Sequence, residues 1–388
     1  MDVYKKSLES HEQWGGKWQV QSKAKVDNAT DLSIAYTPGV AQPCIEIKKD
    51  KQNAYKYTLK NNLVAVISDG SAVLGLGNIG GLAGLPVMEG KCILFKEFGG
   101  VDAIPLVLDT QDTDEVVATI KNVAISFGGI NLEDISAPRC FEIEQKLKDM
   151  LDIPVFHDDQ HGTAIVVLAG VINSLRLVGK KVGEAKFVFN GMGAAGTSIA
   201  KLLIEYGAKN IVCCDKDGIL NSDNAVFEHH KQLVEFCGTQ NVKGTLADAL
   251  VGADVFVGTS VANCVSADMI KNMAKDAIIF AMANPVPEVL PDVAKKAGAK
   301  VVGTGRSDFA NQINNVLAFP GVFRGAFDAK ATQITQNMKL AAAKAIANLV
   351  SDDELDENYV IPSPFDKRVA IAVAQAVKDT AEKEGVIR

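Results

Sequence analysis

A strand-like KFVFN runs into Gly191-Met-Gly193-Ala194-Ala195-Gly196 and then into the helical stretch TSIAKLLIEYG. That is the order a pyrophosphate-binding turn requires. Glycines permit the tight turn and close backbone approach, and the helix N-terminus faces the phosphates. A second strand, NIVCCD, ends in Asp215, 24 residues after Gly191, where a carboxylate can accept both hydrogen bonds of an adenosine ribose diol. Asp215 repels a 2'-phosphate and favours NAD, while Lys216 beside it leaves NADP open. A merely structural glycine turn is the competing reading. A second stretch, SAVLGLGNIGGLAGLP, repeats the spacing at Gly75, Gly77 and Gly80. No further acid-ended strand follows it at the right distance, and Gly80, Gly81 and Gly84 weaken the helix that should start there. It is expected to form a tight loop lining an active site.

The best metal candidate is Glu133 and Asp134, at the end of a short strand, with Asp159 in HDDQHGTA. Oxygen-only ligands select magnesium or manganese. Adjacent side chains on a regular strand point to opposite faces, so Glu133 and Asp134 can share an ion only where that strand breaks. The alternative is that Asp158 or Asp159 caps the following helix. His157 and His161 lack the zinc-hydrolase arrangement, because Asp158 stands where the glutamate belongs, and they are expected to be packed or hydrogen-bonded near the helix start. Lys91 in PVMEGKCILF precedes an apolar run, so burial is expected to depress its pKa toward a range useful for proton abstraction. An ordinary solvated lysine is the alternative. Tyr36 in AYTPGV sits against a Pro-Gly turn that would fix its ring, although packing explains a tyrosine there equally well. Asn284 in ANPVP and the pair Asn314 and Asn315 in NNVLAFPG fall just beyond strand ends or in the final sheet-side loops. Amides there can bind a carboxylate, an alcohol oxygen or a nicotinamide carboxamide, or brace turns.

These groups need elements to position them. LVAVIS (63–68) and 103–108 are predicted as strands, 113–127 as an amphipathic helix, and 130–133 and 153–157 as short strands. From about residue 180, KFVFN, NIVCCD, DVFVGT, AIIFAMA and AKVVGTG alternate with helical stretches, which implies a parallel, doubly wound sheet. A nearly continuous apolar run at 163–177 predicts a buried helix linking the halves, and helices are expected over 332–350 and 366–384. At 388 residues the chain is long enough for two domains of about 150 residues or more. The expected division is 1–160 and 161–388.

Forty basic against 47 acidic residues give a net charge of -7, which argues against nucleic acid or an anionic membrane as partner. With 47% hydrophobic and 22% charged residues, wholesale disorder is excluded. Seven cysteines without a CxxC pair fit small buried hydrophobes in a reducing compartment. No run of about 18 apolar residues occurs, and MDVYKKSLESHEQW has charges where a signal peptide needs an apolar stretch, so a cytoplasmic location is expected.

Taken in order from Ala35 to Gly325, AYTPGV, SDGSAVLGLGNIGG, PVMEGKCILFKEFGGVDAIPL, NLEDI, FHDDQHGTA, FNGMGAAG, ANPVPE and NNVLAFPGVFRG resemble the malic enzymes in their shorter bacterial form. The resemblance implies an N-terminal α/β malic domain and a C-terminal Rossmann-type domain. It implies L-malate as substrate, NAD or NADP, Mg2+ or Mn2+, and a homodimer or larger assembly. It gives Lys91 the part of general base, Tyr36 that of general acid, and Asp158 that of tuning the base. Glu133, Asp134 and Asp159 match the metal ligands. Gly191, Gly193, Ala194, Ala195 and Gly196 match the cofactor turn, and Asn284 and Asn314 match positions contacting cofactor and substrate. One departure concerns an arginine that grips a malate carboxylate in larger members, where this chain has Gly70-Ser71-Ala72. Within the family the alternative is a malolactic type that releases lactate without net reduction. From another class comes a dinucleotide-binding sensor without catalysis.

Overall fold

A computed structural model describes residues 2–73 and 75–388; Met1, and Leu74 of the SAVLGLG stretch, lie outside it. The strands are β1 (Leu63–Ser68), β2 (Asp102–Val107), β3 (Gly129–Leu132), β4 (Val155–His157), β5 (Lys186–Asn190), β6 (Asn210–Asp215), β7 (Gly218–Ile219), β8 (Val255–Gly258), β9 (Ile278–Ala281) and β10 (Val301–Thr304). The helices that matter for the site are α1 (Val3–Trp14), α2 (Ala29–Ala35), α3 (Ala41–Lys49), α4 (Gly81–Gly99), α5 (Thr113–Val123), α6 (Arg139–Met150), α7 (Asp158–Val178), α8 (Ala194–Tyr206), α9 (Phe319–Asp328), α10 (Gln336–Ala347) and α11 (Arg368–Glu384).

Two sheets organise the chain. The first is parallel throughout, in the order β2-β1-β3-β4, with Val64 opposite both Ala103 and Gly129. The second has the order β10-β9-β8-β5-β6-β7, parallel except for the two-residue β7. In each sheet the chain reverses its winding direction beside the first strand, between β1 and β3 and again between β5 and β8. Such switch points open a crevice at the carboxyl ends of the strands. This α/β architecture, with a Rossmann-type second sheet, is the expected one.

The longest helix, α7, starts directly after β4 of the first sheet and ends at Gly179, just before β5 of the second. It begins five residues before the predicted start, because Asp158 and the residues after it continue the helix. By length and apolarity α7 is the one helix among the described residues able to cross a membrane, but 67% of its apolar window is buried inside the protein. Its packing is that of a core helix.

The core is shared between the halves. Phe95 of α4 meets Phe319 and Phe323 of α9 edge-on, at 4.7 and 5.3 Å between ring centroids, and Phe323 meets Phe156 of β4 at 5.9 Å. Helix α9 also packs closely on α11. A Cβ on Gly325 would lie 2.3 Å from the Ala374 carbonyl oxygen and 2.8 Å from the Val377 Cβ. Gly325→Ala is therefore expected to force the two helices apart at a cost of about 1–3 kcal/mol, seen as a lowered Tm in thermal unfolding. An unchanged Tm would mean that this contact is slack.

Two local features depart from expectation. Helix α4 forms despite Gly81, Gly84 and Pro86, since Gly81 packs so closely under Leu108 that a Cβ would meet its carbonyl oxygen at 2.6 Å. Close tertiary packing outweighs weak intrinsic propensity there. In addition, nothing among residues 2–62 is buried; the first buried residue is Leu63. Helices α1, α2 and α3 expose Tyr4, Leu8, Leu32, Ile34 and Ile45.

Candidate active site

Between the two sheets lies a cleft of about 930 Å³, lined by Lys91, Glu133, Asp159, Gly193, Ala194, Ala195, Asn284 and Asn314, among others. All but Lys91 arrive from strand ends, helix starts or the loops beside them. Glu133 follows β3, Asp159 opens α7, and Gly193 immediately precedes α8. Lys91 projects from the middle of α4, against the face of the Phe319 ring at 4.3 Å.

Lys91 is buried at 7% exposure. Its Nζ donates to Asp158 Oδ2 at 2.7 Å and lies 2.8 Å from Glu133 Oε1. Burial pushes the ammonium pKa down, but the Asp158 and Glu133 carboxylates more than offset it and hold the group above the ordinary lysine range. The expected depression is thus corrected: burial is present, and two counter-charges in contact override it. Asp158 is fully buried and also accepts from Asn315 Nδ2, which fixes the carboxylate that orients the amine.

Strand β3 ends at Leu132, and Asp134 adopts a left-handed backbone with φ 53°. The break lets Glu133 and Asp134 converge with Asp159, whose Oδ2 accepts the Asp134 backbone N–H at 2.8 Å. Oxygens of the three carboxylates all lie within 4.8 Å of one another. Burial, then the Asp159 and Glu133 charges, push the Asp134 carboxyl up to about 9. Burial pushes Asp159 up to about 6, against the pull of Lys91. The buried Asp134 Oδ2 has no hydrogen-bond partner. Crowded, desolvated, oxygen-only donors with an orphaned lone pair fit a hard divalent cation, whose charge removes the mutual repulsion. Among the described residues, no grouping of three ligand-type side chains includes either histidine. His157 is fully buried with neither ring nitrogen paired, and His161 Nε2 lies 2.8 and 2.9 Å from the two Glu144 oxygens.

The glycine turn also fits its ligand. Gly191 has φ 95°, and a Cβ on Gly196 would lie 2.0 Å from the Gly191 carbonyl oxygen, so the turn closes only with glycine at both places. At Gly193, by contrast, a Cβ would meet nothing within 4 Å. Gly193 caps α8 without a side-chain hydrogen bond, leaving the first-turn amides facing the cleft as an anion cradle. Asp215 ends β6, and its Oδ1 accepts the Lys216 N–H at 2.8 Å.

Not every candidate joins this group. Asp134, Asp158, Gly191, Gly196 and Asp215 stand behind or beside the cleft wall rather than on it. Tyr36 is farther off in kind: it does not line the cleft, and it is 66% exposed at the end of α2. Asn314 lines the cleft while its Oδ1 accepts the Val316 N–H at 3.0 Å. One of the paired amides acts on the protein itself, and one contributor had no motif to announce it. Asn315 holds Asp158, and Arg139 at the start of α6 places Nη2 2.9 Å from both Asp69 Oδ2 and Ser71 Oγ. Arg139 braces the loop that carries Ser71, with its guanidinium committed to protein acceptors and off the cleft wall.

Comparison with known proteins gives matches along nearly the whole chain. Residues 15–148 match a family model described as malic enzyme, N-terminal domain, and residues 160–382 one described as malic enzyme, NAD binding domain. The chain is 55% identical to a bifunctional malic/malolactic enzyme of Bacillus subtilis, over 100% of this chain and 95% of that protein. It is 53% identical to an NAD-dependent malic enzyme of Geobacillus stearothermophilus, over 96% of this chain and 78% of that one. A solved structure of a malic enzyme from Pyrococcus horikoshii superposes with a TM-score of 0.95 at 48% identity, covering 100% of this chain and 92% of the other.

Proposed function

Because this chain belongs to the malic enzyme family, we propose that it oxidatively decarboxylates L-malate to pyruvate and carbon dioxide, reducing NAD in a reaction that needs Mg2+ or Mn2+. The observation that carries this reading is the Lys91 amine in one cleft with Glu133, Asp159 and the α8 N-terminus, with Asp134 completing the acidic cluster from behind the wall.

Lys91 takes the proton of the malate C2 hydroxyl after its ammonium has passed one to Asp158, 2.7 Å from Nζ, which orients the amine and whose carboxyl burial pushes up to about 7. The Gly191–Gly196 cradle would hold oxidised NAD, which would supply the hydride acceptor, and Glu133, Asp134 and Asp159 would hold a divalent cation that would supply Lewis acidity. Asn284 and Asn314 orient the substrate carboxylates, in place of the arginine of larger members. The C3–C4 bond of oxaloacetate breaks as carbon dioxide leaves, and Tyr36 protonates the resulting enol at C3.

The exposure of Tyr36 bears on assembly. Helix α2, with no buried residue and with Leu32 and Ile34 in solvent, needs a partner surface. That partner is a second copy of the chain, whose cleft receives Tyr36, so the protein works as a homodimer. We place it in the cytoplasm.

A spectrophotometric assay with L-malate, each nicotinamide cofactor in turn, and Mn2+ with or without EDTA tests the activity. Malate-dependent reduction that EDTA abolishes is the expected result, and no reduction under any condition would overturn the reading. The malolactic alternative draws support from the Bacillus subtilis relative, a bifunctional malic/malolactic enzyme. Lactate formed without reduced cofactor would establish it. Asp215 at the β6 end favours NAD. Asp215→Ser is expected to shift the NADP to NAD ratio of kcat/KM by at least about tenfold toward NADP. An unmoved ratio would take Asp215 out of cofactor selection.

A further inference from the structure

A second cavity of about 600 Å³ lies on the other side of the α7 start, enclosed by α6, α8 and α10. Its lining carries Lys148, Lys201 and Lys339. Lys339 is 4% exposed, and its hydrogen-bond partner is a neutral-type acceptor, His161 Nδ1 at 3.0 Å; Lys201 donates to Gln232 Oε1 at 3.3 Å. Neither has a carboxylate within 4 Å among the described residues, whereas Lys148 pairs with Glu144 at 2.9 Å. A buried cation without a counter-ion is unfavourable unless something else supplies one. Burial, then Lys148, pushes the Lys339 amine down to about 7 in the absence of such a group. Independently, Gln160 lines the same cavity at 3% exposure, and its Nε2 is a buried donor with no partner. The start of α10 at Gln336 adds the positive end of a 12-residue helix.

We propose that this cavity binds a compact oxyanion, a phosphate or carboxylate group, and that the bound anion acts on the catalytic cleft through the first turn of α7. The route is short. Glu144 Oε1 accepts the backbone N–H of His157 at 3.2 Å, and the same carboxylate holds His161. An anion that draws Lys339 and Lys148 toward itself loosens their hold on His161 and Glu144, and Glu144 in turn holds His157 and His161, which flank Asp158 and Asp159 in sequence. The regulatory half rests on the malate-oxidising reading; the binding half does not.

Isothermal titration of the full-length protein, loaded with Mg2+ and with NAD to fill the pyrophosphate cradle, is the test, using inorganic phosphate in one arm and succinate in the other. Saturable binding in at least one arm is expected, with the preferred arm identifying the source of the oxyanion. Lys339→Met and Lys201→Met should each weaken it at least about tenfold, as loss of a charge-assisted hydrogen bond implies. Should Lys339→Met fail to fold, the half-exposed Lys201→Met carries the test. Absence of binding in both arms, or equal binding in the variants, overturns the site. In the malate assay the anion should change the KM of wild type and of neither variant. Binding without that change would retain the site and overturn its link to the cleft.

Discussion

Lys91→Ala is expected to lower kcat with L-malate by about 10²–10⁴-fold, the range usual for a positioned general base. NAD binding should survive, because the glycine cradle lies on the second sheet and has no contact with the amine. The variant leaves Asp158 and Glu133 facing each other without the cation between them, so part of any loss could come from unfolding. Two measurements separate the causes. Circular dichroism reports the fold, and added small alkylamines should restore part of the rate only if a missing amine is the defect. Near-normal turnover in a folded variant would remove Lys91 from the chemistry.

The second large effect concerns Tyr36. Tyr36→Phe alone is expected to be nearly inactive, since the phenol supplies a proton that no other group at the cleft replaces. Mixing it with Lys91→Ala under conditions that exchange subunits should bring activity back. If Tyr36 acts in the partner's cleft, each mixed dimer carries one site with both residues intact and one with neither. Random exchange of equal amounts then gives about a quarter of wild-type activity. A tyrosine that serves its own subunit predicts no recovery at all, and that outcome would sink the exchange of arms.

Both predictions depend on features that differ in how far they were legible. The five parallel strands of the second sheet and the LVAVIS strand could be placed from apolar runs and breakers, because strands covered on both faces carry little besides β-branched and aromatic residues. The acidic trio was legible as residue types, and the condition for it, a strand that breaks after Leu132, is what the backbone of Asp134 provides. The upward shift of Lys91 was not legible. It depends on two carboxylates 42 and 67 positions away in sequence, and burial alone points the other way. Helix α4 was hidden for a related reason: glycines that weaken an isolated helix are the residues that let this one lie against β2. Arg139 acts on a loop rather than on a ligand, so no short motif marks it, whereas Asn315 stood out in NNVLAFPG but nothing there pointed to the Asp158 carboxylate as its partner. The first 62 residues carry no core-facing periodicity because, with Trp18 as an exception, few of their apolar side chains face this chain's core.

Helix α7 has one more implication. It is a continuous rod of 21 residues, about 31 Å long, with its first turn in the acidic cluster and its last turn under the second sheet. Any breathing of the gap between the lobes must pivot at the ends of this rod, since flexing it midway would rupture a buried hydrogen-bond ladder. Its leading tip therefore moves as a lever arm. A tilt of the second lobe about the far end is delivered as a displacement of Asp158 and Asp159, which ties alignment of the acidic cluster to the attitude of the lobe that carries the glycine cradle.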